Sequence, residues 1–455
     1  MLREKMRWLY YTELIVDELA QAQSEGKPVR PEEVEAILSI GDEGEREEKA
    51  RRWMLETERM PLPGDLAQRE PNTWEGIQRL AGPQARQEYP VLREGFGERL
   101  RSAWAGRLSG CLLGIPVEGW TREKIAEFMA ATGQDPRKTY FTSAIGPELR
   151  QRFDVQDRDT NTPYDRQVYC WIDNMTSFPV DDDTNYSVAA LRVLERYGRN
   201  FTADQIAENL LYAVPSLHAC TAERLAYRNL LNCILTPECA WVLNPYREWI
   251  GAQIRADFFG YINPGRPHEA ARMAFEDASV THVRNGIYAE MYVAALVSLA
   301  PCALGGVEMI RAAKAQIPPQ SRLALELEAL LEDLEKGAGA GYEALLEKLH
   351  ARYAERQWYW WGHAIPNALL VSALLACFDG DHAQAVGHAV MAGFDTDCNA
   401  ATVGSIVGFR TGKVQEHWLS HFPAALRTSV HGYEWLTLEE LSQKTLALAE
   451  FPLGR

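Results

Sequence analysis

Several features are scarce in this 455-residue chain, and each scarcity removes a class of protein. No stretch approaches about 18 uninterrupted apolar residues, so no membrane-spanning helix is expected. The opening run, MLREKMRWLYYTELIVDELAQ, has no apolar core of signal-peptide type. Positive charge is short: 47 Lys and Arg face 63 Asp and Glu, for a net charge of −16. That balance argues against a general nucleic-acid binder, which needs a basic footprint, and against docking on anionic lipid. It leaves room for an anionic ligand in a local pocket. The eight cysteines form no Cys-x-x-Cys pair and are too few for a disulfide scaffold. Zinc-ribbon and thioredoxin-type readings therefore fall away, and free thiols in a reducing cytoplasm are the expectation. No Walker or Rossmann phosphate loop and no Gly-x-Ser-x-Gly elbow is visible. Alternating strand patterns are rare.

What remains is helix, with 46% hydrophobic and 24% charged residues, an ordinary globular composition. The length predicts one large domain plus a smaller one. Residues 2–22 have apolar positions at helical spacing, and Pro31-Glu32-Glu33 resembles a helix start. Residues 60–75 hold three prolines and a glycine and read as a linker. Residues 1 to about 95 are therefore expected to form an accessory helical segment, packed outside a main domain at 96–455 and adding no metal ligand. From Phe96 onward the helices become longer and more apolar. Leu100, Trp104, Leu108, Cys111 and Leu112 share one face. Further helices are expected at 186–197, 287–300, 320–336, 342–355, 366–378 and 398–409. Thr437-Leu438-Glu439-Glu440 has capping-box spacing for a last helix. The predicted class is all-α, a compact helical bundle.

Residues 133–180 lack a helical period and read as a functional insertion. Inside it, Asp157, Asp159 and Asn161 imitate an EF-hand start, but Thr162 and Val168 stand where glycine and glutamate are required.

Two acidic clusters resist a purely structural reading. Asp181, Asp182 and Asp183 adjoin one another before a helix, and one acid would suffice as a cap. Asp395-Thr396-Asp397 precedes a second helix rich in small residues (Ala400, Ala401, Gly404, Ser405, Gly408). Metal ligation and double capping are the competing readings. Five carboxylates without a paired His or Cys motif form a hard oxygen site, which suits Mg²⁺, Mn²⁺ or Ca²⁺ better than zinc. Their charge suffices for two divalent ions, and two-metal sites position water for displacement chemistry.

At these residues the sequence resembles the ADP-ribosylglycohydrolase family. Gly106-Arg107-Leu108-Ser109-Gly110-Cys111-Leu112-Leu113-Gly114-Ile115-Pro116-Val117-Glu118 is similar to the family's opening helix and glycine turn. Asp181-Asp182-Asp183-Thr184 resembles its Thr-Asp-Asp-Thr, and Gly393-Phe394-Asp395-Thr396-Asp397 its Gly-Gly-Asp-Thr-Asp. A weaker match is Ser279-Val280-Thr281-His282 with Asn285-Gly286-Ile287-Tyr288. Order and spacing hold over roughly 97–455. The resemblance implies an all-helical fold, two magnesium ions (or manganese) at a cleft floor, and cleavage at the anomeric carbon of an ADP-ribosyl group. It implies Asp181, Asp182, Asp183, Asp395 and Asp397 as metal ligands, with Glu118, Asp182 and Asp397 in catalysis. His282, Asn285, Gly286 and Tyr288 would line the ribose side. Arg255 belongs to the nearest match, Gly251-Ala252-Gln253-Ile254-Arg255-Ala256-Asp257, for the family's Gly-Asn-Gly-x-x-Met-Arg loop. That loop and the 133–180 insertion would both touch substrate.

Three departures stand out. Cys111 replaces an Asp, Asp181 replaces a Thr, and Cys398 replaces a Thr or Ser that often ligates metal. A soft thiol is a poor magnesium ligand. Read without the motif, Glu118 is a surface acid after a turn and His282 an ordinary core histidine. His363 and the Trp358-Tyr359-Trp360-Trp361 run read as helical-core packing, with an aromatic wall for a base or sugar as the alternative. The expected function is magnesium-dependent hydrolysis of an ADP-ribosyl or related ribosyl substrate. Two alternatives are kept: hydrolysis of another ribosylated small molecule or nucleoside, and an inactive ADP-ribose- or nucleotide-binding protein.

Overall fold

A computed structural model describes residues 2–157, 170–336, 341–353, 357–420 and 425–452. Asp159, Asn161, Thr162 and Val168 of the EF-hand-like run lie outside these. The described residues are helical apart from loops and one short antiparallel pair, Leu426–Arg427 with Trp435–Leu436. No described helix is long and apolar enough to cross a membrane.

Two helices set the architecture. Phe96–Gly114 and Thr396–Thr411 lie against each other along their backbones. A methyl group built on Gly106 would overlap the Gly404 carbonyl, one on Gly110 the Ala400 carbonyl, and one on Gly408 the Ser102 carbonyl. Glycines four apart fall on one helix face, so the two backbones meet with no side chains between them. This ladder explains the small-residue pattern on both helices.

Against the pair lie Asn285–Leu299 and Ala364–Phe378, and Pro267–Ala278 packs on Asn285–Leu299. All fifteen residues of Asn285–Leu299 are buried. A helix without a polar face belongs in the centre of a core, which is where this one sits. Leu438–Leu448 closes the bundle from outside, where Trp104 Nε1 donates to Thr445 Oγ1 at 3.0 Å. Thr437 caps it through the expected box with Glu440.

The N-terminal helices Tyr11–Ser24 and Glu43–Arg59 pair with each other. Their apolar faces do not close on themselves. Leu14, Ile15, Trp53 and Met54 share a cluster with Leu225, Tyr246, Trp249 and Tyr359 of the main body. Beside it runs a buried chain of ion pairs. Arg247 donates to Glu18 at 2.6 Å and to Glu25 at 2.8 Å. Arg322 donates to Glu70 and to Glu248, both at 2.8 Å, and Arg284 bridges Glu248 and Glu25. Removing one partner of such a pair leaves the other charge buried and costs about 3–5 kcal/mol. Residues 18, 25 and 70 of the segment thus anchor in the main body, a contact that helical periodicity could not announce.

Candidate metal centre and cleft

The helix starts carry the chemistry. Asp181 is the N-cap of Asp182–Tyr197, and its Oδ1 accepts the Asp183 N–H at 2.9 Å. Capping is therefore real at Asp181. It does not account in the same way for Asp395, which makes no standard cap bond and whose carboxylate is shared with Asp397 and Cys398 of the first turn. Before that helix, Gly393 and Phe394 both have positive φ, +73° and +56°. For Phe394 this is a strained conformation. The pair of left-handed residues turns the chain abruptly into Asp395. The ladder then seats Asp397 on Gly114, where any Cβ would overlap the Asp397 backbone, and Thr396 Oγ1 donates to the Gly114 carbonyl at 3.0 Å. A short 3₁₀ turn, Ile115–Val117, carries the chain from there to Glu118.

The two acidic clusters meet, although more than two hundred positions separate them. One ligand atom each from Cys111, Asp181, Asp183 and Asp397 lie within 4.8 Å of one another, as do those of Asp395, Asp397 and Cys398. Asp397 belongs to both groups. Asp182 belongs to neither; it lines the cleft close to the Cys220 thiol.

Charge decides what the cluster wants. Asp183, Asp395 and Asp397 are 0%, 4% and 2% exposed, yet Asp183 Oδ2, Asp395 Oδ1 and Asp397 Oδ1 accept no hydrogen bond. Burial pushes Asp181 up to about 7, and the neighbouring Asp182 charge adds to this. Burial likewise lifts Asp395 to about 6. It raises Asp397 well above the carboxylate range, helped by Glu118 and the other aspartates. It raises Asp183 in the same way, although Arg107 pulls in the opposite direction. Like charges in a dry site favour protons or a cation. Unpartnered buried carboxylate oxygens fit a divalent ion.

One basic group escaped the sequence reading. Arg107 is fully buried and donates to Asp183 Oδ1 at 2.9 Å, to the Asp183 carbonyl at 2.8 Å and to Asp257 Oδ2 at 2.8 Å. It neutralises part of the first cluster and fixes the start of its helix. Among the described residues, no Lys or Arg forms an ion pair with Asp395 or Asp397.

Above these residues lies a cleft of about 360 Å³. Asp181, Asp182, Asp395, Asp397 and Cys398 form its floor and Glu118 stands exposed beside them. Trp249, Trp358 and Trp361 line it, with Trp358 and Trp361 stacked at 4.8 Å. The tryptophan run therefore divides. Trp358 and Trp361 border open space, Trp360 packs on Tyr353 and Tyr359, and the buried His363 caps the next helix through Nδ1. Glu223, Cys220 and, from the N-terminal segment, Arg7 and Trp8 complete the wall. None of these four has a local motif. Burial pushes Glu223 up to about 7 against the opposing pull of Arg255.

The expected ribose-side residues stand behind this wall rather than on it. Arg255 bonds Glu223, Asp277 and Thr281, while Gly251 and Ile254 of the same loop line the cleft. His282 is fully buried, with Nδ1 2.7 Å from Thr281 Oγ1. Asn285 Nδ2 donates to Glu70 at 2.9 Å, and its Oδ1 accepts the Leu323 N–H at 3.0 Å. Gly286 packs on the Arg247 carbonyl, and Tyr288 Oη donates to the Pro71 carbonyl at 2.6 Å. Glu70 and Pro71, from the N-terminal segment, cover Asn285 and Tyr288. No described residue of 133–180 lines the cleft; Phe141, Phe153 and Trp171 pack into the core.

An all-helical bundle with two helix-start carboxylate clusters at a cleft floor defines a candidate hydrolase with a possible metal site. The ADP-ribosylglycohydrolase family profile matches residues 92–450, so the chain belongs to the ADP-ribosylglycohydrolase family. No curated protein sequence matches it. Among solved structures, one titled "ADP-ribosylglycohydrolase-related protein complex" is similar at 19% identity and a TM-score of 0.41, over 78% of this chain and 98% of the other.

Proposed function

We propose that the protein is a divalent-cation-dependent hydrolase acting at the anomeric carbon of an ADP-ribosyl or related ribosyl substrate, with Mg²⁺ or Mn²⁺ as the activating ions. The observation that carries this reading is the convergence of Asp181, Asp183, Asp395 and Asp397, with buried unpartnered oxygens, at the floor of an open cleft. When bound, such ions supply positive charge that holds sugar hydroxyls and lowers the pKa of a water. Asp181, Asp183, Asp395 and Asp397 are the proposed ligands. Asp182, on the cleft side of the same turn, orients substrate or water. Glu118 stands on the solvent side of Asp397 and serves as the acid or base that moves a proton as the leaving group departs. Arg255, His282, Asn285, Gly286 and Tyr288 hold the wall in place from behind. A cytoplasmic setting stays part of the proposal, on the cysteine spacing of the sequence.

The test is release of free ADP-ribose from ADP-ribosylated protein, with Mg²⁺, with Mn²⁺ and with EDTA. Cation-dependent release supports the proposal. Tight ADP-ribose binding without release in any condition supports the inactive binding protein instead, a reading that the Cys111 and Cys398 replacements favour. Release from a ribosylated small molecule or nucleoside alone redirects the substrate and keeps the chemistry.

A further inference from the structure

Resting on the ribosyl-substrate reading above, we infer that Arg7 is a specificity-determining residue of the cleft that pairs with a phosphate of the substrate, so that the accessory segment selects phosphate-bearing ribosyl compounds over neutral nucleosides. Arg7 lies outside residues 92–450, the stretch that the family profile matches. It reaches the cleft wall from the turn after Leu2–Lys5 and is half-buried there. Glu118, Asp181, Asp182, Glu223, Asp395 and Asp397 line the same cleft, and among the described residues Arg7 is the one Lys or Arg that does. Its guanidinium nevertheless forms no ion pair with a described carboxylate. It lies over the Trp8 ring, 4.2 Å from the centroid.

The main body holds this charge in place. Arg224 is 2% exposed, and its Nη1 donates to the Lys5 and Arg7 carbonyls at 3.2 and 3.1 Å. Its Nη2 donates to the Leu217 carbonyl at 2.6 Å and its Nε to the Ala219 carbonyl at 2.8 Å. One buried cation thereby ties the Lys5–Trp8 turn to the turn that precedes Cys220 and Glu223 of the wall. The Arg224 guanidinium also lies over Trp8, 4.9 Å from the centroid. Trp8 takes the left-handed backbone region, φ +65°, which is uncommon for a large side chain. The turn is therefore fixed, and its tryptophan is a platform for Arg7. A guanidinium stacked on an aromatic face keeps the N–H donors of its edge free. That planar fork matches phosphate through two parallel hydrogen bonds, and an arginine ordered in advance loses less entropy on binding. The acidic floor alone would repel a phosphate, and Arg7 puts the opposite charge on the wall. A neutral nucleoside gives this arginine no anion to pair with.

The competing account is that Arg7 only packs on Trp8 to keep the segment docked. Titrating the full chain with ADP-ribose and with adenosine, in saturating Mg²⁺ and at low and high salt, decides between them. Wild type should bind ADP-ribose the more tightly, and salt should narrow the difference. Arg7→Met keeps an apolar stem over Trp8 and removes the charge. It should weaken ADP-ribose binding by about 10–100-fold, the usual effect of losing hydrogen bonds to a charged group, and lose most of the salt dependence. Arg7→Lys, a point charge without the fork, should fall between the two. Adenosine affinity, melting temperature and the rise of the melt with Mg²⁺ or Mn²⁺ should stay at wild-type values in both variants. Unchanged ADP-ribose affinity in Arg7→Met, an equal loss in Arg7→Lys, or a parallel loss of adenosine overturns the inference, while cation-dependent hydrolysis by wild type would leave the hydrolase reading standing. Arg7-dependent binding of ADP-ribose with no release in any cation upholds the inference and overturns the hydrolase reading. A wild type that binds neither compound overturns both.

Discussion

Asp395→Asn tests the electrostatics of the site most directly. In cation-free protein, burial lifts Asp395 from 3.8 to about 6. That is roughly two pKa units at about 1.4 kcal/mol each, or about 3 kcal/mol. A carboxyl whose folded pKa is raised binds its proton more tightly in the folded state. Its folded-state contribution is therefore complete below pH 3.8 and is lost as the pH climbs through 6. Asparagine carries no such charge, so in EDTA at pH 7.5 the variant should be more stable than wild type by up to about 3 kcal/mol. An unfolding entropy of roughly 2.1 cal/mol/K per residue converts this to a gain of about 3 °C in a chain of this length. The gain should shrink towards zero near pH 4. Adding Mg²⁺ or Mn²⁺ at about a hundred times its Kd should raise wild type by about 2.7 kcal/mol, erasing the difference, and leave the variant nearly unmoved. Asp395 makes no standard cap bond, and the asparagine amide oxygen can still accept the bonds that Cys398 gives the carboxylate. The assay is a thermal melt of both proteins at several pH values, with chelator and with each ion. A variant less stable than wild type in EDTA at pH 7.5, or a gain independent of pH, would refute the charge argument. A wild-type melt indifferent to divalent ions would return the site to helix capping.

Three further outcomes are expected. Glu118→Gln should lower turnover by about 10²–10⁴-fold with ADP-ribose affinity nearly unchanged; unaltered turnover makes Glu118 a surface acid. Arg247→Met should cost about 3–5 kcal/mol by stranding Glu18 and Glu25, read from the denaturant midpoint, and a loss below about 1 kcal/mol would show those carboxylates protonated or rehydrated. Gly110→Leu should yield little soluble protein or a melt lowered by several degrees, because the Ala400 carbonyl already occupies that space; a native melt would mean the ladder is not closely packed.

Much of the helical framework could be read from sequence because helical periodicity is local. The expected helices at 186–197, 287–300, 320–336, 366–378 and 398–409 appear as Asp182–Tyr197, Asn285–Leu299, Arg322–Glu335, Ala364–Phe378 and Thr396–Thr411. The acidic clusters were conspicuous for a similar reason: adjacent like charges need an explanation wherever they occur. Arg107 was not, because a lone arginine on an apolar face announces no partner, and its partners Asp183 and Asp257 are distant in sequence. The same holds for Glu18, Glu25 and Glu70. In their own stretches of sequence they look like ordinary solvated acids, and it is chiefly arginines from another part of the chain that pair with them in the interior. Glu223, Cys220 and Trp8 reach the cleft through tertiary packing alone. The loop at 279–288 shows the converse hazard. Its motif was visible, but the covering contacts of Glu70 and Pro71 were not.

The position of the metal-ligand candidates follows from backbone packing rather than from flexible loops. Asp397 stands one residue inside a helix whose glycine and alanine face rests directly on Phe96–Gly114. Sliding one helix along the other by a turn would move Asp397 about 5.4 Å relative to Cys111 and Glu118. That exceeds the 4.8 Å within which the candidate ligand atoms now gather. The ladder forbids such a slide because each glycine faces a carbonyl that tolerates no Cβ. Arg107, on the same helix as the ladder, fixes the other acidic start through Asp183. One helix therefore sets both clusters, the first by an ion pair and the second by close approach. A substitution that loosens the ladder should consequently disturb cation affinity before it unfolds the protein. A Gly106→Ala or Gly408→Ala variant that melts cooperatively yet loses its divalent-ion stabilisation would show this directly. Retention of wild-type cation stabilisation in both variants would show that the ligands are held by their own loops instead.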